Sequence, residues 1–448
     1  MNTRISGSFA IPMLHHLAMG MMIPVLSLLQ VARGLSLAAV GLNMAIYAGT
    51  VVVLELPTGR LADAIGRVRT YRASVAVQLV GYTVVALAHG ATGLAVGFLF
   101  MGTARALSSG SMDAHFVDEF HRLRPGGTLS AFLARIAVWS TLGLAVGSLA
   151  GGYAPDVLGP WGAGIVGGDR FSANILLAAV VTVAELIATL RVVVDRPGAI
   201  GGGETDSDRV PNATPSLVRT LIGNRGILAL LGVAATWGVA FSGLEAFWQP
   251  HLANMLPGSA NTAGTAVFGY LTTGYFLAGA AGNALAAVVA PGGPRGSLRF
   301  LVTVRVAVGV GFVALAFQQG VTAFAAVYLL LFALNGLMSA PDDSLFNDRT
   351  PARLRSTLLS TRSLALQAGG AAGAAVMGRL ADRIGTGVVF ALGGAVMVAS
   401  ALLYLVPAPQ RSSSASGDRR VETAGNDPDE RPEQAVPATG DVHGVSVG

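Results

Sequence analysis

Runs of about twenty apolar residues recur along the chain, each closed by charge, Gly or Pro. A helix rises roughly 1.5 Å per residue, so such a run crosses the ~30 Å hydrocarbon core of a bilayer. The runs are Phe9–Leu29, Leu37–Leu56, Ala73–Ala88, Gly93–Ser111, Leu129–Ala150 and Ser172–Val194, then Ile227–Phe247, Thr265–Val289, Phe300–Phe317, Val321–Ala340, Leu358–Met377 and Val388–Val406. The pattern predicts an all-α membrane protein with 12 transmembrane helices in two pseudo-symmetric six-helix bundles. The first run, behind Arg4, could pass for a signal peptide's apolar core; the eleven runs after it make a retained helix the expectation.

Composition narrows the function. Of 448 residues, 52% are hydrophobic and 12% charged, where a soluble domain carries about 25% charged. There is no Cys, which excludes disulfide frameworks, Fe–S clusters, thiolate zinc and cysteine nucleophiles. The seven His are scattered without metal-ligand spacing, and no nucleophile–base constellation is visible. An enzyme is not expected, and neither a metal nor a cofactor. All 29 basic side chains are Arg, which stays protonated, so no cationic side chain here can shuttle a proton.

Arg placement orients the chain. With the N-terminus in the cytoplasm, inner loops and adjoining helix ends hold 19 Arg, Arg305 among them, and outer loops hold four: Arg33, Arg170, Arg379 and Arg383. Both termini are then cytoplasmic, in the inner (plasma) membrane. The net charge of +5 follows from this topology and implies no nucleic acid partner. The expected divisions are residues 1–194 and 226–407 as bundles, a Gly-rich linker at 195–225, and a Ser-, Gly-, Pro- and acid-rich tail at 408–448 expected to be disordered.

A shift of 230 residues brings Leu107, Ser109, Asp113, Phe116 and Asp118 onto Leu337, Ser339, Asp343, Phe346 and Asp348. It also pairs Gly143 with Gly373, and Arg105 with Asn335. Parallel repeats of this kind place a substrate site near mid-membrane, between the halves.

The sharpest local signal is Glu55-Leu-Pro-Thr-Gly-Arg-Leu-Ala-Asp-Ala-Ile-Gly-Arg-Val-Arg69. Gly59 lets helices approach, Gly66 permits a tight turn, and Asp63 can accept from a helix N-terminus or an Arg. This resembles the signature loop of the major facilitator superfamily, with Gly59, Leu61, Asp63, Gly66, Arg67 and Arg69 at matching places and Ala64 where a basic residue is usual. The resemblance implies a 12-helix transporter working by alternating access, with Gly59, Asp63, Gly66, Arg67 and Arg69 as a cytoplasmic latch. Gly143, Gly147, Gly151 and Gly152 partly resemble the family's antiporter motif, with Ser148 in place of its proline.

Charges inside spans must face a cavity or a partner. Arg105 resembles the family's fourth-helix Arg, tied in relatives to proton transfer; it can equally pair with Asp113 or Asp63. Asp113, Glu185, Glu245 and Glu55 are the candidate proton or substrate carriers, with Arg105. His15, His16, Tyr47, Trp237, Tyr270, Asn335 and Gln367 are candidate cavity residues. The expected activity is proton-coupled export, by antiport, of a small drug-like or toxic metabolite, as in multidrug or antibiotic efflux; the alternative is proton-coupled uptake of a small metabolite. The expected partners are that small molecule, protons and lipid, with the chain as a monomer.

Overall fold

The computed structural model describes residues 9–109, 111–123, 128–193, 223–257, 264–351 and 354–407. Most of the expected linker and all of the tail at 408–448 lie outside the described residues. Helices α1 (Ala10–Met22) and α2 (Leu26–Ala32) form one broken rod, joined by a 3-10 turn at Ile23–Val25. Pro24 causes the break, since it lacks an N–H and its ring clashes with the preceding turn. Then come α3 (Leu37–Ile65), α4 (Arg67–Leu87), α5 (Ala91–Ser108), a short α6 (Ser111–Leu123), α7 (Leu129–Val166) and α8 (Ser172–Val192). The second half has α9 (Arg225–Ala253), α10 (Ala266–Val289), α11 (Pro294–Ala316), α12 (Val321–Arg349), α13 (Arg355–Ile384) and α14 (Thr386–Ser400), which ends in a 3-10 turn at Ala401–Leu405.

Each predicted span falls on one long rod, and ten of the rods are long and apolar enough to cross a membrane. The other two, α4 and α13, carry more charge, with Arg67, Arg69 and Arg72 in one and Arg355, Arg362, Arg379, Asp382 and Arg383 in the other. The turn between α3 and α4 marks the signature face; the opposite end is called the far face below.

Glycine decides which rods touch. A Cβ on Gly143, Gly147 or Gly151 of α7 would strike the carbonyl of Met13, Leu17 or Met21 of α1, so the two backbones run in contact over two turns. In the second half Gly369 and Gly373 of α13 sit against Ala235 and Val239 of α9. Gly143 and Gly373 therefore occupy equivalent places, in keeping with the internal repeat. Two further glycine contacts join the halves: Gly41 of α3 with Gly378 of α13, and Gly152 of α7 with Gly269 of α10. Small residues serve this purpose because lipid tails offer helices no hydrophobic incentive to associate.

Helix α7 overruns its predicted end at Ala150 and continues through Pro155 and Pro160 to Val166. Pro155 cannot donate to the Gly151 carbonyl four residues back. That carbonyl accepts instead from Asn174 Nδ2 at 2.7 Å, so the helix loses one bond without orphaning a polar group. At the far face Arg33 ends the first rod, donating to the Val85 and Ala88 carbonyls and pairing with Asp169 at 2.7 Å. At the signature face α6 packs with Met112, Phe116 and Phe120, one helical face, onto Phe132 and Val68.

Gly143→Leu is expected to lower the thermal midpoint of the purified protein, at a cost of about 1–3 kcal/mol from forced backbone separation. Gly49→Leu, where a Cβ meets nothing within 4 Å, is the matched control and should leave the midpoint unchanged.

Candidate functional site

A cavity of about 300 Å³ lies between the halves, walled by α1, α3, α4, α5 and α8 on one side and α9, α10 and α12 on the other. Its lining is mainly apolar, with a few polar groups directed inward, as small-molecule sites are built.

The N-terminal wall holds a three-residue cluster. Glu185 of α8 is 1% exposed. Its Oε1 accepts from Tyr71 Oη of α4 at 2.5 Å. His15 Nδ1 of α1 lies 3.1 Å from the same oxygen, placed to donate when protonated there. Three helices thus converge on one carboxylate oxygen, satisfying a charge that hydrocarbon would not tolerate alone.

The C-terminal wall is aromatic. Trp248 of α9 stands 5.0 Å from Tyr328 of α12, and Tyr275 of α10 stacks on Phe332 at 4.4 Å, ring centre to ring centre. Glu245 of α9 shares this wall; its side chain is exposed to the cavity and makes no hydrogen bond or ion pair among the described residues. Arg105 of α5 reaches the cavity from the other half and has no ion pair there among the described residues. The pairing of Arg105 with Asp63 is therefore absent: Asp63 lies exposed on the signature face. Tyr47 of α3 lies within electrostatic reach of both Arg105 and Glu245. Glu55, half-buried on α3, is within reach of Arg105 and buries an Oε2 that has no hydrogen-bond partner among the described residues. Asp113 falls in α6, and its side chain is outside the described residues.

The other candidates are placed elsewhere. His16 hydrogen-bonds its own helix through Nδ1 to the Pro12 carbonyl at 2.7 Å and is not in the lining. Trp237 donates to Asn335 Oδ1 at 2.8 Å and stacks on Phe241, so these two satisfy each other behind the cavity wall. Tyr270 is 55% exposed on α10, bonded to Tyr153 of α7, outside the cavity lining. Gln367 is half-buried on α13, also outside the lining. In the signature loop Gly66 takes φ +97° between α3 and α4, and Arg67 and Arg69 lie in the first turn of α4.

Several polar lining residues escape a reading by composition. Gln78 lies just past a run of Arg that reads as loop, and Tyr71, which reaches the lining only through Glu185, lies within that run. Gln249 precedes Pro250 and reads as a span end, yet its Nε2 donates to the Ile23 carbonyl, at 2.7 Å, in the 3-10 break of the other half. Arg305 is a plain correction. It reads as a helix-end charge, but it is fully buried in α11. Its guanidinium donates to Ser400 Oγ, the Val233 carbonyl and Thr236 Oγ1, each at 2.9 Å. Both halves therefore carry an intramembrane Arg. Among the described residues no group of three or more His, Asp or Glu could hold a metal.

Rods on either side of a central cavity, with buried charge confined to its wall and a few helix contacts, define a polytopic carrier rather than an enzyme. The sequence matches the Major Facilitator Superfamily over residues 9–341, and the chain belongs to that family of secondary transporters. The fold is similar to that of the nucleoside transporter NupG, at TM-score 0.71 and 12% identity, covering 90% of this chain and 98% of that one. It is also similar to a bacterial homologue of the human lysosomal transporter Spinster in an inward-facing, unoccupied conformation, at TM-score 0.65 and 14% identity, covering 90% and 95%. The POT family transporter PepTSo aligns at TM-score 0.68 and 12% identity, covering 90% and 97%. Curated proteins give no match by sequence.

Arg305→Ala removes three buried hydrogen bonds and should cost on the order of 3 kcal/mol, read as a lower thermal midpoint in detergent. Arg105→Ala, open to the cavity, should change stability by less than about 0.5 kcal/mol.

Proposed function

We propose that the protein is a proton-coupled exporter that exchanges protons for a small, mostly apolar, drug-like or toxic metabolite. The observation that carries this reading is Glu185 held by Tyr71 and His15 at the cavity wall. Ionisable groups inside a membrane mark proton pathways when they border a cavity. A proton shared between His15 and Glu185 leaves that pair neutral overall. Its departure leaves a carboxylate supported by the Tyr71 hydroxyl. The cavity gains one unit of negative charge, which changes the relative stability of the two access states. Arg105 and Glu55 are in place to feel that change, and Asp113, near the signature face, is the exit-side candidate.

The aromatic wall suits an apolar body, and Glu245 within it suits a positively charged group on that body. The Gly143–Gly147–Gly151 contact with α1 supports the antiporter likeness. One observation favours the uptake alternative: Arg105, unpaired in the cavity among the described residues, could hold an anionic substrate. The surplus of Arg on the signature face supports placing that face, and both termini, in the cytoplasm of an inner-membrane protein. The chain is proposed to work as a monomer.

The test uses inside-out vesicles with an imposed proton gradient and a panel of toxic compounds. Gradient-dependent accumulation of at least one compound is expected. Glu185→Gln should lose that accumulation by tenfold or more while keeping gradient-independent exchange of the same compound. Accumulation of none, with nutrient uptake in whole cells, would reverse the assigned direction.

A further inference from the structure

Ser27 departs from a pattern that buried threonines in this chain follow. Thr70, Thr182, Thr272 and Thr350 each donate to the carbonyl four residues back, at 2.7 to 3.0 Å. The carbonyl four back from Ser27 is that of Ile23, and Gln249 Nε2 of α9 donates to it at 2.7 Å. Ser27 is fully buried, and its Oγ has no hydrogen-bond partner among the described residues.

Gln249 is left in a similar condition. Its Nε2 is bonded, but its Oε1 is buried and without a hydrogen-bond partner among the described residues. Polar burial does not force this outcome here. Gln30, one turn further along α2, is fully buried with both ends of its amide bonded, to the Leu26 carbonyl and to Asn43. Glu245 lies one turn before Gln249 on α9, with its carboxylate open to the cavity and unbonded among the described residues. Ser27, Gln249 and Glu245 all line the central cavity. They sit toward its far end, because Gln249 is in the last turn of α9 but one and touches the break between α1 and α2.

Buried polar groups are almost always paired, so unmet ones in a cavity wall point to a guest. What these oxygens lack is a donor. The surrounding charge fixes the sign of the group that brings one. Glu245 contributes a carboxylate, and the rings of Trp248, Tyr275 and Tyr328 on the same wall attract cations. Arg105, in the last turn of α5 at the signature end of the cavity, repels them.

We infer that the substrate carries a protonated primary amine, bound at the far end of the cavity with its N–H groups donating to Glu245, Gln249 Oε1 and Ser27 Oγ and its apolar body extending toward the signature face. The inference rests on the reading of this cavity as the substrate site and narrows the substrate class. Attraction to aromatic rings acts on any ammonium; the oxygens separate N–H from N–CH3. A primary ammonium has three N–H donors, and a trimethylammonium has the same charge and none. A site built to hydrogen-bond a substrate N–H rejects the analogue that lacks it, since its buried polar groups then stay unpaired.

Two probes with one apolar body and one charge test this: para-phenylbenzylamine and its trimethylammonium analogue. Isothermal titration calorimetry on the purified full-length protein, without a proton gradient, should favour the primary amine by tenfold or more. Ser27→Ala and Gln249→Met should each cut that ratio several-fold by weakening the primary amine alone. A cavity merely loosened by substitution would weaken both probes together. Glu245→Gln should weaken both, since it removes the charge they share a need for. Binding of neither probe, or equal affinity for the two, would overturn the inference. So would a ratio that Ser27→Ala and Gln249→Met both leave intact. Binding of sodium ion alone, lost in Ser27→Ala, would also overturn it, by assigning the oxygens to a metal cation. The calorimetry is independent of direction and coupling. Gradient-driven export only of compounds lacking an amine would sink this inference and leave the exporter standing; amine binding with no gradient-driven transport would do the reverse.

Discussion

Backbone-to-backbone approach at glycine is the contact on which this architecture depends. In lipid, burying an apolar side chain between helices gains little over leaving it in hydrocarbon, so association rests on close packing and on polar contacts. Gly143, Gly147 and Gly151 bring α7 onto α1, and Gly369 and Gly373 bring α13 onto α9. These contacts recur turn after turn and build each half. Between the halves glycine contacts are sparser: Gly41 with Gly378, and Gly152 with Gly269, both toward the far face.

The same economy governs charge. Arg305 is fully buried and tied to α9 and α14 through Val233, Thr236 and Ser400. Asp342, bonded by Tyr404 at 2.6 Å and paired with Arg362 at 2.6 Å, extends that network across α12, α13 and the end of α14. These charges fasten the second half. Those of the first half are placed differently. Glu185 is shared among three helices at the cavity wall, and Arg105 stands open to the cavity. A charge tied to several helices by hydrogen bonds resists change, whereas one open to a cavity can answer a proton or a ligand. The asymmetry between repeats, Arg105 against Asn335, belongs to this division of labour.

How much of this is legible in the sequence depends on the length scale of each signal. Apolar runs are set by bilayer thickness, and each predicted span meets a long helix. The signature loop is legible because its turn demands a glycine, and Gly66 takes φ +97° there. Local pattern fails where the answer depends on a distant partner. Pro155 reads as a helix end unless Asn174 is known to stand beside the freed Gly151 carbonyl. Arg305 reads as topology because an Arg near a helix start and one facing a core are indistinguishable without the neighbouring helices. Tyr71 lies among arginines and shows its role only when α8 brings Glu185 to it. Tyr270 and Trp237 fail in the reverse direction: an aromatic on a membrane helix meets lipid or other side chains more readily than a cavity.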